Sequence, residues 1–215
     1  MKRFAVAVAI VALAAVACGP KSADFHSILS TTTVAATSTT APSAKPVPLS
    51  QYLESIGVTG QQVAPDDLKD LTVSIPTPPD WSRASNPKIA PQTVMLSKGG
   101  KFPTARLVVF ALRGDFDPAQ VIKHGNDDAQ LFENFKQLNV SMADYNGFPS
   151  SMIEGSYDLD DTRLHSWNRI VLPTGSPPDK QRFLVQLTIT SLASETVNQS
   201  SDIEAIIHGF VVAAK

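Results

Sequence analysis

Phe148–Leu159 (FPSSMIEGSYDL), Asp160-Asp161 and Thr162–Leu172 (TRLHSWNRIVL) form the stretch on which the fold turns. Two extended runs rich in Ile, Val, Tyr and Trp are joined by two residues that tolerate positive φ, which is a β-hairpin signal. Asn146-Gly147 repeats that signal upstream, between Phe135–Tyr145 and Phe148–Leu159. Gln181–Ser191 reads as a fourth strand of the series. Strands joined by hairpins lie antiparallel, so this half of the chain predicts an antiparallel sheet.

Outward from that core the pattern continues. Leu71-Thr72-Val73-Ser74-Ile75 alternates apolar and polar, as a half-buried strand does, and Pro76-Thr77-Pro78-Pro79 ends it. Trp81 then follows, placed to pack over the end of the sheet. Thr93–Lys98 and Thr104–Leu112 read as two more strands, joined through Gly99-Gly100. The second is apolar on both faces and so belongs in the middle of the sheet. Helices are expected at Leu49–Ile56 (Ser50 as N-cap, Gly57 as stop), from Asp117-Pro118 to about His124, and over Asp127–Phe132. A last amphipathic helix is expected over Ser201–Ala213, with Ile203, Ile206, Ile207 and Phe210 inward. The resulting fold class is α/β (α+β): one antiparallel β-sheet covered by helices, over residues 48–215.

The N-terminus sets the location. Met1-Lys2-Arg3 is basic, and Phe4–Val16 is a short run of Ala, Val, Ile, Leu and Phe. That is a secretory signal, too short to span a bilayer comfortably. It ends in Ala15-Val16-Ala17-Cys18, which resembles a bacterial lipobox with Ala15 where Leu is usual. Cys18 is the single cysteine of 215 residues, so it has no disulfide partner. The expectation is a signal peptide over 1–17, with diacylglyceryl on the Cys18 thiol and an acyl chain such as palmitate on the new amine. Two or three chains anchor stably, where one does not. The mature protein would then sit on the extracytoplasmic side of the cell membrane.

Residues 18–47 change character. Nine of the fourteen residues from Ser30 to Ser43 are Ser or Thr, with prolines following. This composition cannot bury enough apolar surface to offset ordering, so it reads as a spacer of roughly 30 Å. Its likeness to O-glycosylated stalks makes Thr31, Thr32, Thr33, Thr37, Thr39 and Thr40 candidate O-mannosylation sites, with an unmodified spacer as the alternative.

Taken together, Ala17-Cys18-Gly19-Pro20, Tyr52-Leu53, Leu71-Thr72-Val73-Ser74-Ile75-Pro76 with Trp81, Gly147-Phe148, Gly155-Ser156-Tyr157 and Leu184-Val185-Gln186-Leu187 resemble the mycobacterial LpqN/LpqT lipoprotein family. The resemblance runs from signal to C-terminus, and no single motif in it is specific. It implies a Mog1/PsbP-like α/β/α sandwich and a lipid-anchored envelope protein with an envelope protein or lipid as partner. It brings no catalytic residues.

The residues themselves exclude several functions. From Cys18 onward sixteen Lys/Arg face twenty Asp/Glu, a net charge of −4 without a basic stripe, so nucleic acid is not an expected partner. There is no Gly-x-Ser-x-Gly elbow and no Gly-rich phosphate loop. His26, His124, His165 and His208 lack metal-binding spacing. Asp158-x-Asp160-Asp161 starts like a calcium loop but has Arg163 at position six and Arg169 at position twelve, so it reads as a hairpin tip. Asn139-Val140-Ser141 and Asn198-Gln199-Ser200 match the N-glycosylation pattern by accident. No enzyme activity, metal or cofactor is expected.

One stripe is a candidate ligand face. Alternation along Thr162–Leu172 puts Arg163, His165, Trp167 and Arg169 on one side, where guanidinium, imidazole and indole suit an anionic or sugar-bearing ligand. The alternative is a solvated sheet face with cross-strand ion pairs to Glu154, Asp158 or Asp161. Ile203, Ile206, Ile207 and Phe210 similarly read either as core or as the lining of a lipid cleft under the last helix.

Overall fold

The computed structural model describes residues 45–215. Helix α1 spans Leu49–Ser55 and is followed by β1 (Thr59–Val63), β2 (Leu71–Ser74), β3 (Ser82–Arg83), β4 (Val94–Ser97) and β5 (Thr104–Arg113). Two short helices, α2 (Pro118–Val121) and α3 (Asp127–Gln130), precede β6 (Lys136–Ser141), β7 (Ser150–Leu159), β8 (Thr162–Val171) and β9 (Arg182–Leu192). Helix α4 (Ser200–His208) and β10 (Val211–Ala214) close the chain.

An eight-stranded antiparallel sheet runs in the order β3-β4-β5-β9-β8-β7-β6, with β1 also paired to β5. Strands β1 and β4 share one side of β5 end to end, while β9 pairs with it along its length from Thr104 to Leu112. The β7–β8 hairpin pairs in full register from Ser150↔Val171 to Leu159↔Thr162. Its tip holds Asp160 and Asp161 at φ 49 and 59, and Asn146-Gly147 turns at φ 51 and 81. Both turns take the left-handed conformations that such residue pairs accommodate. Residues Gly155 and Phe135 show a close approach: a Cβ at Gly155 would lie 2.5 Å from the Phe135 ring.

The sheet is covered on both faces. One face packs against α4 and a two-stranded ribbon of β2 and β10, burying Leu71, Val73, Trp81, Leu107, Val109, Trp167, Val185, Leu187, Ile206 and Val212 among others. The other face packs its Val108–Phe110–Leu112 end against Leu49 and Leu53 of α1 and Val121 of α2. Trp81 lies in the first cluster and donates its indole N–H to Asp202 at 3.1 Å.

Several expected elements differ. The last helix stops at His208 because Gly209 crosses tightly over Pro76, whose ring would sit 2.6 Å from a Cβ there. Beyond it Val211–Ala214 pairs with β2, so Val212 serves a strand rather than a helix face. Phe210, Ile203 and Ile206 are buried in the first core cluster and Ile207 packs against it, so these side chains are core and not a cleft lining. Pro48, not Ser50, caps α1; Ser50 is buried with its hydroxyl unpartnered, and Ile56 is 38% exposed. Strand β6 ends at Ser141 rather than Tyr145, leaving Tyr145↔Phe148 as an isolated bridge. Strands β1, β3 and β10 were not expected. As foreseen, Asp117 accepts from the Ala119 N–H and starts α2 with Pro118 behind it.

Candidate functional site

Three neighbouring strands share one pattern on the face that α1 and α2 cover only at one end. On β5, Val108, Phe110 and Leu112 give way to Arg106 and Thr104. On β8, Ile170 gives way to Asn168 and Ser166, and on β9, Leu184 gives way to Gln186, Thr188 and Thr190. The register aligns them in rows: Val108–Gln186–Ile170, then Arg106–Thr188–Asn168, then Thr104–Thr190–Ser166. The apolar rows are sealed under the helices. The polar rows floor a groove.

Apolar side chains wall that floor: Ile89, Met95 and Phe102 from β4 and its flanking loops, Ala129 and Phe132 from α3 and the turn after it, and Tyr157, Leu159 and Leu164 from the β7–β8 hairpin. Phe132 stacks on Tyr157 with ring centroids 4.2 Å apart, which fixes the wall nearest the hairpin. The cavity holds about 210 Å³.

The floor is hydrogen-bonded within itself, but incompletely. Asn168 Oδ1 accepts from Thr188 Oγ1 at 2.8 Å and from Gln186 Nε2 at 2.9 Å. Gln186 Oε1 is buried with no partner. Arg106 makes no hydrogen bond or ion pair with any described residue. Burial pushes the Arg106 guanidinium down from its ordinary value, with Tyr157 acting in the opposite direction. Arginine nevertheless stays protonated. Burial likewise raises the Tyr157 phenol, against a hydrogen bond with Thr190 and the Arg106 charge. On the wall, burial raises the Asp128 carboxyl to about 6, although the Leu49 N–H donates to its Oδ2 at 3.1 Å. A buried polar group without a partner is costly; on this floor Gln186 Oε1 is one, and beside it the half-buried Arg106 guanidinium faces the cavity with no protein partner.

The stripe expected from the sequence lies on the opposite face of β8, and its members turn inward to protein partners. Arg163 donates to Asp158 Oδ1 at 2.9 Å, to the Asn134 carbonyl at 2.9 Å and to the Ser156 hydroxyl at 2.7 Å. That contact with Arg163, helped by Asn134, holds the Asp158 carboxyl below the usual range. His165 meets Glu154 at 2.9 Å and is 8% exposed; Trp167 is 6% exposed and part of the core. Arg169 donates to Ser150 Oγ at 2.8 Å and lies over the Tyr145 and Trp167 rings, 4.8 and 5.5 Å from their centroids. So the face is closed over His165 and Trp167, while the Arg163–Asp158 pair at the hairpin end stays in reach of solvent. It carries the expected cross-strand pairs to Glu154 and Asp158, under the loop around Tyr145, whose hydroxyl donates to the Phe210 carbonyl at 2.5 Å. Cys18 and the six threonines from Thr31 to Thr40 lie outside the described residues.

Comparison with known proteins settles the kinship. The family model described as "Probable lipoprotein LpqN" matches residues 45–213. The chain belongs to the LpqN lipoprotein family. Within its wider relatives, the LpqT lipoprotein of Mycobacterium leprae is 69% identical over 211 residues, covering 98% of this chain and 95% of that one. The LpqT lipoprotein of Mycobacterium tuberculosis H37Rv is 66% identical over 212 residues, covering 98% and 93%. Among solved structures, the crystal structure of LpqN "involved in cell envelope biogenesis of Mycobacterium tuberculosis" superimposes with a TM-score of 0.64 at 21% identity, over 75% of this chain and 95% of that one. At that identity the likeness carries the fold of the LpqN family: a mixed helix and strand domain on an antiparallel sheet.

None of the groove residues was singled out from the sequence as a site. The signal was present in three strands at once, each with a polar end on the same face. It becomes visible only once the register places Arg106, Thr188 and Asn168 side by side.

Proposed function

We propose that this chain is a non-catalytic binding or adaptor module, held at the extracytoplasmic face of the cell membrane by lipid on Cys18, and that the groove floored by β5, β9 and β8 is its binding site. One observation carries the reading: in the middle of a covered sheet, Arg106 and the Gln186 carbonyl stand in a walled cavity with no partners of their own. A fold that only needed stability gains by replacing both with apolar side chains.

Membership in a lipoprotein family and the lone Cys18 after an apolar signal support the anchor. The Ser/Thr-rich spacer after it supports a domain standing off the membrane, with Thr31, Thr32, Thr33, Thr37, Thr39 and Thr40 as its proposed glycan carriers. A fold relative described as involved in cell envelope biogenesis fits the same setting. The non-catalytic reading rests on the groove's hydroxyls: Ser166, Thr104, Thr188 and Thr190 share it with no histidine, because His165 faces the other way. A cavity of about 210 Å³ falls below the range of about 300–1,000 Å³ in which clefts engulf a small molecule. It seats one end of a ligand, which suits a docking module better than the alternative, a carrier that encloses a whole envelope lipid or glycolipid.

The test is native mass spectrometry of the full chain extracted from mycobacterial membranes, beside Cys18→Ala and a Phe102→Ala/Phe132→Ala variant. The expected result is a bound species on the wild type that the groove variant lacks, and a Cys18→Ala protein found outside the membrane fraction. Equal occupancy in wild type and groove variant contradicts the site, and a Cys18→Ala protein still on the membrane contradicts the anchor. A whole lipid kept by the released Cys18→Ala protein in aqueous buffer favours the carrier.

A further inference from the structure

We propose that the groove is an oxyanion site: it seats the carboxylate or phosphate head of an amphiphile, with Arg106 meeting the charge and the aromatic walls holding the first methylenes of the chain. This rests on the reading of the groove as the binding site and adds the chemical class of what enters it.

The charge is fixed and unanswered. Arg106 projects from the central strand β5 into the cavity, carries a positive charge at any physiological pH and has no carboxylate or carbonyl partner among the described residues. Arginine matches the two oxygens of a carboxylate or phosphate through parallel N–H donors, and burial makes that match stronger than in water. Asp128 is the one carboxyl on the wall; its Oδ2 is held by the Leu49 N–H and it forms no ion pair with Arg106. Beside the guanidinium the floor supplies hydroxyls from Thr104 and Ser166, which donate readily to further oxygens of a head group. Gln186 Oε1, buried and unpartnered, can accept only from the P–OH of a monoprotonated phosphate, since a carboxylate carries no donor.

The walls point to the rest of the ligand. Phe102, Phe132, Met95 and Leu159 offer no charge and little hydrogen bonding, so a bare inorganic anion would leave them wet. An anion on an alkyl chain satisfies floor and walls together. A neutral alkyl head satisfies the walls and leaves Arg106 without a counter-charge, and a cation meets repulsion.

The test titrates the full lipidated chain in neutral phosphatidylcholine nanodiscs with octyl phosphate, octanoate, octanol and inorganic phosphate. Wild type, Arg106→Gln and Arg106→Lys are compared in identical discs so that partitioning into lipid cancels. The two anionic amphiphiles are expected to bind wild type at least about tenfold tighter than octanol. Arg106→Gln should bring them down to the octanol level, and Arg106→Lys, which keeps the charge but not the paired donors, should retain part of the preference. Thermal unfolding run in parallel shows whether each variant is folded, and the lysine variant decides the matter if the glutamine one is not. Tight binding of inorganic phosphate supports the oxyanion site and assigns it to a free anion instead of a lipid head. Octanol binding as tightly as octyl phosphate, unchanged by Arg106→Gln, overturns the inference and leaves the groove as a binding site. If none of the four probes binds wild type, both the inference and the proposed site fail.

Discussion

Strand β8 carries an arginine stripe on one face and a polar groove floor on the other, and the two faces handle charge in opposite ways. Arg169, on the closed face, donates to Ser150 and lies against two aromatic rings. Arg106, two strands across on β5 and on the open face, reaches no protein partner among the described residues. The residue types are the same and the burial is comparable in kind. Arg169 has a hydrogen-bond partner and two ring contacts, although its Nε is buried without a partner, whereas Arg106 has no hydrogen bond at all among the described residues; that difference separates a structural arginine from a candidate ligand residue. The closed face is bound together by its polar groups, whereas the open face is stable in spite of them.

That contrast can be broken by measuring what each face contributes to stability. Trp167→Ala, on the closed face, should cost about 3–5 kcal/mol in chemical denaturation, because a fully packed aromatic leaves a cavity under α4. A loss below about 1 kcal/mol would mean that this face is not the core. On the open face, Asp128 works against folding. Its carboxyl sits near 6 when folded against an ordinary 3.8, so the folded protein binds the proton more tightly than the unfolded chain. The Asp128 penalty should therefore be absent at about pH 4 and below, grow as pH rises from there, and be complete above 6. Asp128→Asn should raise stability by roughly 2–3 kcal/mol at pH 7 and change little at pH 4, as read from urea unfolding at the two values. Asp158, held low by Arg163 near the other face, should behave with the opposite sign, losing its contribution as pH falls.

Smaller effects sharpen the same comparison. Tyr145→Phe removes the hydroxyl that donates to the Phe210 carbonyl and should cost about 1–1.5 kcal/mol, visible as a lower denaturant midpoint with an unchanged slope. Arg106→Met should be neutral or stabilising, by up to about 1 kcal/mol, because it removes a half-buried charge that no protein group answers. A loss of stability in that variant would show that Arg106 has a structural partner after all.

Much of this was legible in the sequence. The hairpins at Asn146-Gly147 and Asp160-Asp161, the central Thr104–Leu112 strand and the Asp117-Pro118 helix start all follow from local chemistry: residues that accept positive φ, a strand apolar on both faces, a side-chain cap. The last helix was read too long because Phe210 continues the helical period of Ile203, Ile206 and Ile207, and only the pairing of Val211–Ala214 with β2 shows that a strand begins there. The stripe on β8 and its pairing to Glu154 and Asp158 were visible by alternation, yet its cover was not, because Tyr145 reaches it from a loop. The groove stayed hidden for the same reason in reverse. Arg106, Asn168 and Thr188 are separated by up to 82 positions in the chain and meet only through strand register.

The most direct test is an amide chemical-shift map of the isotopically labelled full chain titrated with octyl phosphate. The account predicts that the shifts gather on Arg106, Ser166, Asn168, Gln186, Thr188 and Thr190 and leave Arg163 and Trp167 in place. Shifts centred on Arg163, His165, Trp167 and Arg169, with the groove unmoved, would contradict it.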